Sequence, residues 1–329
     1  MSQQREGSVD LLPALLAGDR ATLGRAITLV ESTRPDEQAA AIDLLDRCPA
    51  PAGTQRIGIT GPPGVGKSTL IEALGMAWIG MGHRVAVLAV DPSSQRSGGS
   101  ILGDKTRMDR LAAQEAAFIR PSPSAGSMGG VARRTREALM LCEAAGYDRI
   151  LVETVGVGQS ELDVDRLTDI NVLLTLPGAG DDLQGIKRGI MESADLVVVT
   201  KSDGDNLPRA RIAQLDLQNA IQLLPPRDHG GRPQVLPVSA LSGEGIATLA
   251  SVINDLFMGL QARGHVELRR ADQGRWWMHR TVEEDLLASF RAHPRVAESL
   301  PGLERDVRDG RITPFKAAQQ LLALFRTAS

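Results

Sequence analysis

The strongest constraint on this chain is the stretch Gly61-Pro62-Pro63-Gly64-Val65-Gly66-Lys67-Ser68-Thr69, which satisfies G-x-x-x-x-G-K-[ST] at every fixed position. The pattern carries meaning only between a strand and a helix. Arg56-Ile57-Gly58-Ile59-Thr60 ahead of it is a short apolar strand with a charge at its mouth, and Ser68 to Trp78 behind it places apolar residues at helical spacing. Glycines at 61, 64 and 66 let the backbone turn and aim its N–H groups at phosphate oxygens. The helix N-terminus adds partial positive charge. Lys67 is placed to reach β- and γ-phosphates, and the Ser68 hydroxyl to ligate Mg²⁺. A Gly-rich turn needs none of this context; strand, loop and helix together point to a nucleotide site.

Bulk properties narrow the rest. A chain of 329 residues accommodates one large domain with additions, or two. Hydrophobic content of 42% and charged content of 23% are those of a soluble globular protein. With aromatics at 3%, the core must be built from Val, Ile, Leu and Ala. A net charge of -3 argues against a general nucleic-acid binder, which wants a basic face. The N-terminus is polar, and no apolar run approaches the ~20 residues that span a bilayer. No membrane association and a cytoplasmic location are therefore expected. Cys48 and Cys142 are far apart and read as small buried or half-buried hydrophobes. The histidines at 83, 229, 265, 279 and 293 are scattered, so no structural metal is expected.

Residues 1 to about 50 read as helices: a stripe of Leu11, Leu12, Leu15 and Leu16, then Ala21 to Glu31, then Glu37 to Arg47. Pro49 to Gly53 is a break. From Arg56, apolar strand candidates at 56–60, 84–90, 117–120, 149–153, 171–176, 195–200 and 235–238 alternate with helical patterns. Near-continuous Val/Ile/Leu runs suit strands buried on both faces, hence an α/β fold with a largely parallel central sheet flanked by helices. Beyond about Leu260 the pattern is helical, over 265–292, 301–309 and 314–327. The expected organisation is an N-terminal helical segment over 1–52, a P-loop NTPase domain over 53–262 and a C-terminal helical dimerisation arm over 263–329.

Ligands of such sheets bind at the carboxyl ends of the strands, and there the polar residues cluster. Asp91, in Asp91-Pro92-Ser93-Ser94, is placed for Mg²⁺ or its waters, or is a turn or helix-capping Asp. Asp104 lies in a Gly-rich loop that reads as a nucleotide-responsive switch or as a surface loop. Glu153 ends its strand at the Walker-B position, with Gly156 able to present an N–H to the γ-phosphate. Gln184 and Lys187 share a helix face behind Leu176-Pro-Gly-Ala-Gly-Asp-Asp182; taken alone, an acidic helix start with a basic solvated face explains them better than a functional role. In Thr200-Lys201-Ser202-Asp203, the carboxylate can accept the N1–H and N2 amine of guanine, which adenine lacks, and the Lys201 stem can lie over the base. Thr200 stands where G-proteins usually have Asn. Ser239-Ala240-Leu241 can offer backbone N–H to guanine O6.

Together these blocks resemble the MeaB/ArgK-type GTPases: G-x-P-G-V-G-K-S-T, V-D-P-S-S with G-G-S-I-L-G-D-K-T-R-M, R-P-S-P-S, V-E-T-V-G-V-G-Q-S-E, L-P-G-A-G-D-x-L-Q-G-I-K and K-x-D-G. The resemblance is dense from about residue 55 to 205. It implies a homodimer, GTP/GDP and Mg²⁺ as ligands, and a chaperone of adenosylcobalamin-dependent methylmalonyl-CoA mutase that gates cofactor loading. By motif it sets Asp91, Asp104 and Glu153 where Mg²⁺ and the first switch are handled, and Gln184 and Lys187 in a third switch that answers the mutase. No arginine finger is evident in cis, and Val155 and Val157 follow Glu153, so slow intrinsic turnover accelerated by a partner is expected. Two other readings are a kinase acting on an amino-acid transport protein, for which no specific phosphoacceptor is visible, and a metal-delivery NTPase, for which no suitably spaced Cys/His ligands are visible.

Overall fold

A computed structural model describes residues 10–90, 108–120, 128–154, 164–178, 188–227 and 229–326. The chain divides into two compact units, Met1–Gln273 and Gly274–Ser329.

The first unit opens with helices α1 (Leu12–Leu16), α2 (Arg20–Val30) and α3 (Pro35–Asp46). Asp19 caps α2 by accepting the Thr22 N–H at 2.7 Å. Leu23, Ala26, Ile27 and Val30, at helical spacing, form its buried face.

Strands β1 (Gln55–Thr60), β2 (Val85–Val90), β3 (Ala117–Arg120), β4 (Arg149–Thr154), β5 (Ile170–Thr175), β6 (Leu196–Val199) and β7 (Gln234–Pro237) form one sheet in the order β3-β2-β4-β1-β5-β6-β7. Every pairing is parallel. Each candidate strand read from the sequence appears within a residue or two of its expected bounds. β1 lies between β4 and β5, in register Ile59 to Glu153 and Thr60 to Leu173. Helix α4 (Lys67–Gly80) lays Leu70, Ile71, Leu74 and Trp78 on the sheet, where they join Ile57, Ile59, Val172 and Val198 in the core. Burying each such side chain stabilises the fold by about 1.5–3 kcal/mol.

The amino edge of the sheet is stitched by three aspartates, each one residue ahead of a strand. Asp148 accepts the Arg84 N–H at 2.9 Å, Asp169 that of Arg56 at 3.0 Å, and Asp195 that of Asn171 at 2.8 Å. Burial pushes the Asp195 carboxyl up, but His229, Arg227, Arg269 and the Asn171 N–H outweigh it and hold it below the ordinary range. Arg56, which reads from sequence as a charge at the strand mouth, is buried: Nε and Nη2 donate to Glu143 at 2.7 and 2.8 Å. Glu143 lies on the helix Met128–Ala144, which packs over β2.

The second unit contains the rest of a helix that starts at His265 and ends at Ala292, then helices Pro294–Arg308 and Pro314–Arg326. The sequence suggests a start at 301; the helix starts at Pro294 and carries Pro301 inside it. Pro294 in the first turn supplies its fixed φ where no N–H partner is needed. Trp276 and Trp277 stack edge to face at 4.8 Å. Among the described residues no helix is long and apolar enough to cross a membrane.

Candidate nucleotide site at the carboxyl edge of the sheet

The loop 61–66 leaves the carboxyl end of β1, the central strand at this edge. Gly66 caps α4 at φ 99°, ψ 29°, a left-handed conformation that L side chains rarely adopt. At Gly61 a Cβ would stand 2.7 Å from the Leu174 carbonyl oxygen, so only glycine lets the loop pass β5 this closely. Val65 is fully buried and plugs the loop into the core. Lys67 Nζ donates to the Gly61 and Pro62 carbonyls at 2.8 and 3.2 Å, which holds its ammonium inside the loop.

Two further strands bring their polar ends to this loop, β4 beside β1 and β6 beyond β5. From β4, Glu153 accepts the Ser68 hydroxyl at 3.0 Å across 85 residues of sequence. A hydroxyl beside a carboxylate is an oxygen donor set that suits a hard divalent cation such as Mg²⁺. From the end of β6, Thr200 Oγ donates to the Val65 carbonyl at 2.7 Å and to the Thr175 carbonyl at 3.1 Å. Lys201 Nζ donates to the Gly64 carbonyl at 2.9 Å. Among the described residues Lys201 is the non-glycine residue at positive φ, 53°, a strain of about 1–3 kcal/mol that such sites hold.

The third strand end, after β7, supplies Ser239, whose Oγ donates to Asp203 Oδ2. Ser239 is held in turn by the Ser242 N–H at 3.1 Å and by its own N–H to the Glu244 carbonyl at 2.9 Å. Ala240 is half-buried, and Leu241 is 89% exposed.

Thus the structure gathers Gly61 to Thr69, Glu153, Thr200, Lys201, Asp203 and Ser239 to Leu241 at one edge. Asp91, Asp104, Gly156, Gln184 and Lys187 lie outside the described residues. Thr175 also takes part, through its carbonyl alone, which no side-chain pattern in the sequence signals. Chemically, the edge offers backbone N–H groups and an ammonium for phosphates, and a carboxylate oriented by a serine for a base with two adjacent donors.

A parallel sheet with this loop at the end of its central strand defines a P-loop NTPase. The chain belongs to the MeaB family: the model described as methylmalonyl Co-A mutase-associated GTPase MeaB matches residues 23–295. A probable GTPase of Mycobacterium bovis is 54% identical over 95% of this chain and 94% of its own length. The mitochondrial methylmalonic aciduria type A homolog of Mus musculus is 47% identical, over 99% of this chain and 82% of that protein. The GTPase ArgK of Escherichia coli is 46% identical over 95% of each. Among solved structures, the LAO/AO transport system kinase superposes with a TM-score of 0.74 at 38% identity, covering 99% of this chain and 100% of that one. The protein is a GTP hydrolase that binds guanine nucleotide.

Proposed function

We propose that this GTPase uses Mg²⁺-dependent GTP binding and hydrolysis to gate the loading of adenosylcobalamin into methylmalonyl-CoA mutase, or a related acyl-CoA mutase, and to protect that enzyme. The observation that carries the reading is family membership together with the bonds of Ser68 to Glu153 and of Thr200 and Lys201 to the phosphate loop, with the Asp203–Ser239 pair at the same edge of the sheet. The names of the family and of the mouse relative point to methylmalonyl-CoA metabolism. Hydrolysis is favoured over phosphoryl transfer to a protein because the family and its curated relatives are named as GTPases.

In this reading the N–H groups of 61–68 and the Lys67 ammonium cradle the phosphates, and Asp203 and the Ser239-Ala240-Leu241 turn take the guanine. Ser68 and Glu153 would hold Mg²⁺, joined by Asp91 and Asp104 from the sequence motifs. Mg²⁺ held there would supply charge neutralisation for the phosphates during hydrolysis. Ser68→Ala and Glu153→Gln should each raise the Mg²⁺ concentration for half-maximal turnover by about 10–100-fold, the usual effect of disturbing a metal's supporting groups. A titration curve that does not move in either variant removes both from the metal site.

We assign residues 1–52, 53–262 and 263–329 to the N-terminal helical segment, GTPase domain and dimerisation arm, and place the protein in the cytoplasm as a homodimer. Met278, Val282 and Leu286, four residues apart on one helix, and Phe315 on another are 53–82% exposed. Apolar side chains in such a row suit a second copy.

Intrinsic turnover is expected to be slow, of the order of 10⁻⁴–10⁻² s⁻¹. The deciding experiment measures GTPase rate with and without an adenosylcobalamin-dependent mutase, in wild type and in Lys187→Ala. Activation that vanishes in the variant supports both the client and the third switch. Activation that survives keeps the client and discards the role of Lys187. A wild type that no such mutase activates defeats the chaperone reading and leaves the GTPase.

A further inference from the structure

Thr200 occupies the position at which an asparagine is expected to face the guanine base, yet its hydroxyl is turned to the phosphate loop. It is 5% exposed, and it reaches Val65, 135 residues earlier in the chain, at 2.7 Å. The same oxygen lies 3.1 Å from the Thr175 carbonyl, which also accepts the Thr200 N–H at 2.9 Å. A hydroxyl has one proton to donate. Here it is shared between two carbonyls, the shorter bond going to the loop. The exposed edge of guanine presents N7 and O6, both acceptors. A proton committed to Val65 cannot also serve them, whereas an asparagine amide carries two N–H donors and could do both.

The bond holds the Val65 carbonyl, while Lys67 and Lys201 hold those of Gly61, Pro62 and Gly64. Val65 carries its own N–H to Pro62 at 3.3 Å, and its side chain is locked in the core. With the Thr200 bond added, the central peptide of the loop is fixed directly to the end of β6, which is itself bonded to the end of β5 through the Thr175 carbonyl. Position of this peptide sets where the following N–H groups point, and so how well a β-phosphate is received.

We infer that Thr200 is a positioning residue for the phosphate loop and not a reader of the base. The inference rests on the guanine-nucleotide reading of this site. In consequence, base recognition falls to Asp203 and the turn after β7, and loss of the Thr200 hydroxyl is felt through phosphates.

The test compares binding of GDP, GMP, GTP and 7-deaza-GTP to wild type, Thr200→Val and Thr200→Ser. Thr200→Val should bind GDP about tenfold more weakly, as expected for one buried hydrogen bond. Its GMP affinity should change by less than about twofold, because GMP has no β-phosphate for the loop to hold. The ratio of GTP to 7-deaza-GTP affinity, which reports N7 contacts, should equal the wild-type ratio, and Thr200→Ser should restore GDP binding. Equal losses for GMP and GDP, or a changed 7-deaza ratio, would place the hydroxyl on the base and overturn the inference; so would unchanged GDP binding. If Thr200→Val does not fold, Thr200→Ser and Thr200→Cys decide: the thiol is a weak donor, so equal GDP affinities for the two overturn it. A wild type that binds no guanine nucleotide would instead defeat the underlying reading of the site.

Discussion

Asp203→Asn should weaken GTP binding by about 10²-fold or more and make XTP the better ligand. An ionised carboxylate can accept two hydrogen bonds from the N1–H and N2 amine of guanine, each worth about 1.5–3 kcal/mol because the acceptor is charged. The amide turns one acceptor into a donor, which then faces the N2 amine and leaves both unpaired. Xanthine carries an oxygen at that place, so the amide pairs with it and with N1–H. The structure adds a reason for the swap to stay local: Ser239 donates to Asp203 Oδ2, and an amide oxygen can still accept that bond, though more weakly. Competition of GTP and XTP for a fluorescent GDP analogue measures both affinities. A variant that keeps its preference for GTP would remove Asp203 from base recognition.

Glu143→Ala should cost about 3–5 kcal/mol in stability, the loss expected when one member of a buried ion pair is removed. Glu143 and Arg56 are 3% and 7% exposed in their side chains, so the guanidinium left behind cannot be rehydrated without opening the core. Arg136 worsens the imbalance. Burial lowers its pKa to about 10, the charges of Arg56 and Arg270 push the same way, and Glu143 is what opposes them. Its Nη1 is buried without a hydrogen-bond partner. The cost therefore comes from stranded positive charge more than from the bond itself. It follows that Arg56→Met with Glu143→Leu, which removes both charges and keeps volume, should recover most of the loss. Urea unfolding of the single and double variants measures this. A double variant as unstable as Glu143→Ala would mean the pair acts through packing rather than charge.

Much of the functional edge is legible in the sequence alone. The phosphate-loop motif implies its own strand and helix, because its glycines and its lysine work only in that setting. Strand bounds were legible because both-face burial forces continuous Val/Ile/Leu runs. Helix bounds were less so: a proline reads as a breaker, and Pro301 lies inside Pro294–Arg308 because the helix was already started seven residues earlier by Pro294. Arg56 illustrates the same limit for charge. At a strand start an arginine ordinarily reaches water, and its burial depends on Glu143, 87 residues on.

What the sequence by itself determined is therefore local and chemical: a parallel α/β sheet, a phosphate loop at its centre, an acid at a strand end and a guanine-type carboxylate. These follow from side-chain periodicity and from motifs whose residues are close in the chain. Tertiary structure alone decided the partners: Ser68 with Glu153, Asp203 with Ser239, and Thr200 with Val65 rather than with a base. Strands that lie side by side in a parallel sheet are joined by long crossovers, so groups 36 to 135 residues apart meet only when the strand order is set. A single hydroxyl proton goes to whichever acceptor that order brings nearest, and no spacing in the sequence records which one that is.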